Sequence, residues 1–154
     1  MKLYLARHGQ AASPEPGSPT SLTTKGKTDV ERVGQELSRR SLNLQQIWYS
    51  PKTRTRQTAE IYAGILGIKP LNLMEKDTLL IDGTIDLLYH DILESKINNL
   101  LLVSHEPLLN ELSSFLVEDV SDLSPILFPT SGVAAFEQAP RWKWLWLLEP
   151  SALK

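Results

Sequence analysis

The residues of this chain that could do chemistry stand at the ends of apolar runs. Leu3 to Ala6 is a short apolar stretch that stops at Arg7-His8-Gly9, and Leu100 to Val103 is a second that stops at Ser104-His105. Arginine presents a planar fork of donors matched to phosphate oxygens. Histidine can serve near neutrality as a nucleophile or as an acid and base. A glycine beside them lets backbone approach a ligand without a Cβ in the way. One strand-end histidine says little, since a solvated Arg-His pair is common. Two of the chain's three histidines in this setting form a constellation. The third, His90, follows Tyr89 in a helical pattern and reads as a surface or packing residue.

A third segment, Ser50-Pro51-Lys52-Thr53-Arg54-Thr55-Arg56-Gln57-Thr58-Ala59, adds positive charge. It places a helix N-terminus, with free amide groups and the positive end of its dipole, just after a strand. Arg54 falls about one turn in and can reach back over the helix start. Arg56 points to another face, and it and Lys52 read as solvated.

The elements that must position these groups follow from periodicity. Leu3–Ala6, Ile47–Tyr49 and Leu100–Val103 read as buried strands, with Leu71–Met74 as a further short one. Ser13–Ser21, rich in Pro, Ser and Gly, reads as a loop. A helix is predicted from Thr23 as N-cap, with Val30, Val33 and Leu37 on one face. A second is predicted from Pro51, capped by Ser50, to Leu66, stopping at Gly67. Ile85, Leu88, Tyr89 and Ile92 mark a third helix, and Pro107 opens a fourth. Gly132–Phe136 and Trp142–Leu148 are two strands joined at Ala139-Pro140, which suggests an antiparallel pair at a sheet edge. Alternating strands and helices predict a three-layer α/β sandwich: a mostly parallel central sheet, helices on both faces, and an antiparallel edge near the C-terminus. The two histidines would then each close a central strand at the same edge of the sheet, beyond the carboxyl ends of the strands, where ligands bind in open α/β sheets.

With 154 residues, the chain suits one domain spanning 1–154. Its 42% hydrophobic and 22% charged residues are an ordinary globular mixture, and its net charge of −2 gives no general attraction to nucleic acid or anionic membranes. Phosphate binding must therefore come from a few local cations. The absence of cysteine excludes disulfides, thiolate metal sites and cysteine nucleophiles. No apolar run approaches the length of a membrane span. Met1–Ala6 enters a strand with no signal-peptide pattern before it, so a cytoplasmic location is expected. Trp142, Trp144 and Trp146 alternate at strand spacing and would share one face. Core packing or a dimer contact suits an acidic chain better than a base-stacking platform, and no nucleic-acid partner is expected.

Taken together, Arg7-His8-Gly9, Leu22-Thr23 with Gly26, Ser50-Pro51 with Arg54 and Gln57-Thr58-Ala59, and Ser104-His105 resemble the histidine phosphatase (phosphoglycerate-mutase-like) superfamily. They occur in family order over nearly the whole chain. The short length, Ser104-His105-Glu106-Pro107-Leu108 and Phe128-Pro129-Thr130-Ser131 are most similar to its SixA-type phosphohistidine phosphatases. The resemblance implies a catalytic set of His8, the residue phosphorylated, with Arg7, Arg54 and His105 on the phosphoryl oxygens. Gly9 and Ser50 are further candidates for substrate binding. It also implies a phosphorylated histidine-containing protein, such as a phosphotransfer domain in signal transduction, as substrate. Two guanidinium groups and an imidazolium can fill the role of magnesium elsewhere, so no metal or cofactor is expected. His8 should be neutral, its other nitrogen donating to a backbone carbonyl, and His105 should be protonated against phosphate.

Larger members carry a Glu that protonates the leaving alcohol. Asp82, beside Gly83, is the best candidate acid in the stretch between Ala59 and Leu100, with Asp86 next; both also read as plain helix-start carboxylates. An imidazole leaving group tolerates a missing acid, because its nitrogen is readily protonated, whereas an alkoxide leaves poorly without a donor. The expected activity is thus phosphohistidine hydrolysis. The alternatives are a small-molecule phosphomonoesterase or mutase on the same site, and an inactive domain that binds phosphoproteins.

Overall fold

A computed structural model gives the structure of the protein and describes residues 1–117 and 126–153. Along the chain the elements are β1 (Lys2–Arg7), β2 (Ala11–Ala12), β3 (Ser21–Leu22), α1 (Thr24–Arg39), β4 (Gln46–Tyr49), α2 (Thr53–Leu66), β5 (Leu73–Glu75), α3 (Ile85–Ser95), β6 (Asn99–Ser104), α4 (Leu108–Leu116), β7 (Val133–Gln138) and β8 (Trp142–Leu148). The main sheet has the order β5-β4-β6-β1-β7-β8, and β2 pairs with β3 separately. Strands β5, β4, β6 and β1 are parallel, while β7 and β8 extend the sheet antiparallel. Parallel neighbours need crossover connections, and α1, α2 and α3 supply them.

Period-two alternation divides the core into two halves. Leu3, Leu5, Trp48, Leu100, Leu102 and Phe136 point to one face, where α3 and α4 cover them. Tyr4, Ala6, Ile47, Leu101, Val103 and Ala135 point to the other, against α1 and α2. The three-layer α/β arrangement with an antiparallel edge is therefore as expected.

Local chemistry explains most boundaries. Thr23 caps α1, its Oγ1 accepting the Gly26 N–H at 3.0 Å, a contact that contributes about 1 kcal/mol. Gly67, at φ +71°, ends α2 in the left-handed conformation that glycine adopts without cost. Three expectations are corrected. The short third strand begins at Leu73, because Pro70–Asn72 forms a 3₁₀ turn that leaves Leu71 exposed. Helix α2 begins at Thr53 after Lys52, and Ser50 is not its cap. The tryptophans do not share one face. A bulge at Ala135/Phe136 moves the β8 partner from Trp146 to Trp144, skipping Leu145. Trp142 is buried beside α3, its Nε1 donating to the Tyr89 hydroxyl at 2.9 Å. Trp146 turns to the opposite side, under the Arg40 guanidinium and near Tyr4, and Trp144 is half-exposed.

Candidate functional site

Three adjacent parallel strands, β4, β6 and β1, bring their carboxyl ends together. Arg7 lies opposite Ser104, and Tyr49 opposite Val103. The ladder runs one residue further, with the His8 N–H on the Ser104 carbonyl at 3.1 Å and the Ser50 N–H on the Val103 carbonyl at 3.3 Å. His8, Ser50 and His105 thus share one edge, and the two imidazole rings meet edge to face with centroids 5.3 Å apart.

The hydrogen bonds of His8 fix its tautomer. Nδ1 lies 2.8 Å from the Gly9 carbonyl, an acceptor only, so Nδ1 carries the proton and donates. Nε2 keeps its lone pair. Burial lowers the His8 pKa from 6.5 to about 4; the Gly9 carbonyl opposes this, and Arg54 and Arg7 push it down further. His8 is therefore neutral across the physiological range, as a nucleophile must be.

The protons around His105 can be placed in the same way. Arg54 Nη2, a donor only, faces Nδ1 at 3.4 Å, so Nδ1 accepts and Nε2 is the protonated nitrogen. Nε2–H donates to the Ser50 hydroxyl at 2.6 Å. Ser50 passes its hydrogen to Thr55 Oγ1 at 2.8 Å, and Thr55 donates to the Ser50 and Lys52 carbonyls at 2.7 and 2.9 Å. Ser50 is fully buried, and this network engages its hydroxyl. Its place is behind His105, holding the ring, where the sequence reading has it on the substrate. Burial, then the charges of Arg54, His8, Lys52 and Arg7, lower the His105 pKa to about 3. In the protein by itself burial and the clustered cations thus disfavour a charge on His105; the expected protonated ring is the one facing phosphate. A phosphoryl dianion at Nδ1 would reverse that sign and draw a proton onto the ring.

Arg7 spends one donor on the fold, Nη1 giving to the Phe128 carbonyl at 2.8 Å. Its Nε is buried without a partner. Gly9 is buried, and a Cβ there would lie 2.7 Å from Val30 Cγ2. Its N–H goes to Thr58 Oγ1 at 3.1 Å. Packing against α1 and orientation of His8 account for this glycine, in place of the ligand approach expected. Thr58 in turn donates to the Arg54 carbonyl at 2.8 Å, and Gln57 Oε1 accepts the Leu22 N–H at 2.8 Å. Both side chains of the Gln57-Thr58-Ala59 motif that hydrogen bond therefore serve the scaffold.

Arg56 turns away and pairs with Glu60 at 3.7 Å. Lys52 is exposed, yet its charge is felt at His105, so it rims the site where the sequence reading leaves it merely solvated. Asp82 and Asp86 are exposed, and no described hydrogen bond or ion pair joins either to the site. His90 is exposed on α3. Sequence reasoning passes over Glu106, whose carboxylate accepts the Asn110 N–H at 2.9 Å and lies within the field of Arg7. Its adjacency to His105 is the signal that could have found it.

A pH dependence follows. Both site histidines have folded-state pKa values below the ordinary 6.5. The unfolded chain therefore binds more protons below that pH. Their contribution to stability is present above about 6.5 and is lost as pH falls toward about 4 and 3. Thermal unfolding followed from pH 7.5 to 4.5 should show Tm falling on acidification, with a shallower fall in His105→Gln. An equal slope in that variant would contradict the assignment.

The comparisons with known proteins agree with this geometry. The model of the histidine phosphatase superfamily (branch 1) matches residues 3–79, half of the chain. An uncharacterized protein of Picosynechococcus sp. is 46% identical over 67 residues, 41% of this chain and only 40% of that relative's length. Among solved structures, the protein histidine phosphatase SixA complexed with tungstate aligns over 100% of both chains, with a TM-score of 0.87 and 26% identity. A candidate phosphohistidine phosphatase SixA of Agrobacterium tumefaciens aligns over 97% of both chains, with a TM-score of 0.80 and 22% identity. A candidate α-ribazole-5′-P phosphatase of Escherichia coli does so over 97% of both, at 0.75 and 16%. The last two likenesses are of fold.

Proposed function

The chain belongs to branch 1 of the histidine phosphatase superfamily, and from that premise we propose that it hydrolyses phosphohistidine on a protein, with His8 as the covalent nucleophile. The observation that carries the proposal is the His8 ring, neutral, with Nδ1 tied to the Gly9 carbonyl and Nε2 free, set beside Arg7, Arg54 and His105. In the first step the Nε2 lone pair forms a bond to phosphorus while the bond from phosphorus to the substrate imidazole breaks. That nitrogen leaves with a proton from solvent, or is already protonated. In the second, water attacks phosphorus, the bond to Nε2 breaks, and inorganic phosphate departs. Arg7, Arg54 and His105, once it takes up a proton, balance the charge on the three phosphoryl oxygens. The chain keeps all four residues, which supports an active enzyme over an inactive binding domain.

Leaving-group chemistry selects the substrate. Neither Asp82 nor Asp86 is bonded to the site, and the Glu106 carboxyl, its pKa raised chiefly by burial, is engaged by the Asn110 N–H at the start of α4. A site without a free acid suits a phosphorus–nitrogen bond and handicaps an alkoxide. A histidine-containing phosphotransfer protein, a substrate of signal transduction, fits that chemistry. The test compares rates per enzyme, side by side, on a phosphorylated phosphotransfer domain, an activated aryl phosphate, and 3-phosphoglycerate with simple alkyl phosphates. Rates should fall in that order, with Asp82→Asn and Asp86→Asn indifferent and magnesium or a chelator without effect. A faster rate on 3-phosphoglycerate, removed by Asp82→Asn, would make Asp82 a true acid and the enzyme a phosphomonoesterase or mutase.

A further inference from the structure

Three other parts of the chain hold the backbone around His8. The His8 N–H donates to the Ser104 carbonyl at the end of β6, and the His8 carbonyl accepts the Ser131 N–H, each at 3.1 Å. The Gly9 N–H, on the same peptide unit as that carbonyl, donates to Thr58 Oγ1 of α2 at 3.1 Å. The Gly9 carbonyl in turn receives the ring Nδ1–H at 2.8 Å. Of these anchors only the Thr58 hydroxyl belongs to a side chain, so it is the one that a substitution can remove. Thr58 is fully buried, and its hydrogen goes to the Arg54 carbonyl at 2.8 Å, which leaves an oxygen lone pair for Gly9.

We propose that Thr58 is a positioning residue for His8: by fixing the Gly9 N–H it sets the Gly9 carbonyl against Nδ1, and so keeps the Nε2 lone pair for phosphorus. The inference rests on His8 acting as the nucleophile, as in the proposed function. The N–H and carbonyl of Gly9 flank one Cα, so a shift at one end turns the other. Glycine has the least intrinsic hold on its own φ and ψ, and the direction of its carbonyl must come from bonds such as this one. A carbonyl that swings away leaves Nδ1 without its acceptor. The ring can then take the other tautomer, with the proton on Nε2 and no lone pair for phosphorus. The other role open to Thr58 is to satisfy a buried N–H and nothing more.

The two roles differ in what they predict. Thr58→Val keeps the shape of the side chain and removes the hydroxyl, whereas Thr58→Ser keeps the hydroxyl. Both should be assayed beside the parent on a phosphorylated phosphotransfer domain and an aryl phosphate. Tungstate affinity, Tm and the NMR resonances of the His8 ring nitrogens at neutral pH should be measured in parallel. Thr58→Val should lower kcat roughly tenfold on both substrates, the scale of one lost hydrogen bond. Its KM and tungstate affinity should stay within about twofold of the parent, since the groups that bind phosphate are untouched. Its His8 resonances should show Nε2 partly protonated. Thr58→Ser should restore most of kcat and the parent resonances. A lower Tm with kcat and the His8 resonances unchanged would leave Thr58 a scaffold group and overturn the proposal. A loss of tungstate affinity that matches the loss of rate would also overturn it, by placing the effect on Arg54, whose carbonyl shares the hydroxyl. Should Thr58→Val fail to fold, Thr58→Ala carries the comparison. The resonances report the ring whatever the substrate, so altered resonances beside an unchanged kcat would fault the nucleophile reading and leave the tie from Thr58 to the ring intact.

Discussion

His8→Ala should lower phosphate release by at least about 10⁴-fold, the scale on which other enzymes lose turnover when a covalent nucleophile is removed. The loss follows from position. Nε2 of His8 is the one imidazole nitrogen at this edge with an unshared lone pair and no hydrogen-bond partner, since Nδ1 of His105 faces Arg54 and Nε2 of His105 is bonded to Ser50. Oxyanion binding should survive, because Arg7, Arg54 and His105 remain. Tungstate titrated into His8→Ala should bind within roughly tenfold of the parent, as expected when a group acts on the reacting bond more than on ground-state binding. Turnover close to that of the parent would remove His8 from the mechanism. Loss of tungstate binding together with turnover would make His8 a binding group.

The second large effect belongs to the arginines. Arg54→Ala and Arg7→Ala should each cost roughly 10²–10³ in kcat, the scale of a lost transition-state donor in a water-poor site. Arg54 has a further part, because its guanidinium lies against His105 Nδ1, the nitrogen that must take up a proton on phosphoryl binding. Its loss should therefore also flatten the pH dependence of tungstate binding. Arg56→Ala, two residues along α2 and paired with Glu60, should change the rate by less than about twofold. Comparable losses from Arg54→Ala and Arg56→Ala would mean that the site uses a different face of α2. Arg54→Ala should lower Tm little, since its side chain is only partly buried, whereas Arg7→Ala also removes the donor to the Phe128 carbonyl and should lower Tm more.

Most of the fold was legible because the chain states it twice. The continuous apolar runs Leu3–Ala6 and Leu100–Val103 mark strands buried on both faces, and Thr23, Gly67 and Pro107 punctuate the helices between them. The meeting of Arg7, His8, Arg54, Ser50 and His105 was legible for a related reason. Each stands at a strand end or one turn into a following helix, and parallel strands put all such ends on one edge. What escaped depends on contacts that one-dimensional spacing cannot carry. The bulge that turns Trp146 to the opposite face of the sheet comes from pairing with β7, not from the β8 sequence. Ser50 reads as a helix cap or a ligand group until His105 is brought within 2.6 Å of it from 55 residues away. Gly9 reads as a glycine for a ligand until Val30 is seen where its Cβ would go.

A covalent phosphoryl-His8 intermediate is the claim on which the rest depends, and trapping it is the most direct test. The parent enzyme, mixed with a phosphotransfer domain carrying labelled phosphate on its histidine and quenched within one turnover, should hold label that is stable to base and labile to acid. The label should map to His8 and be absent from His8→Ala. An enzyme that releases phosphate at the full rate while carrying no label, or carrying it on His105, would contradict the account.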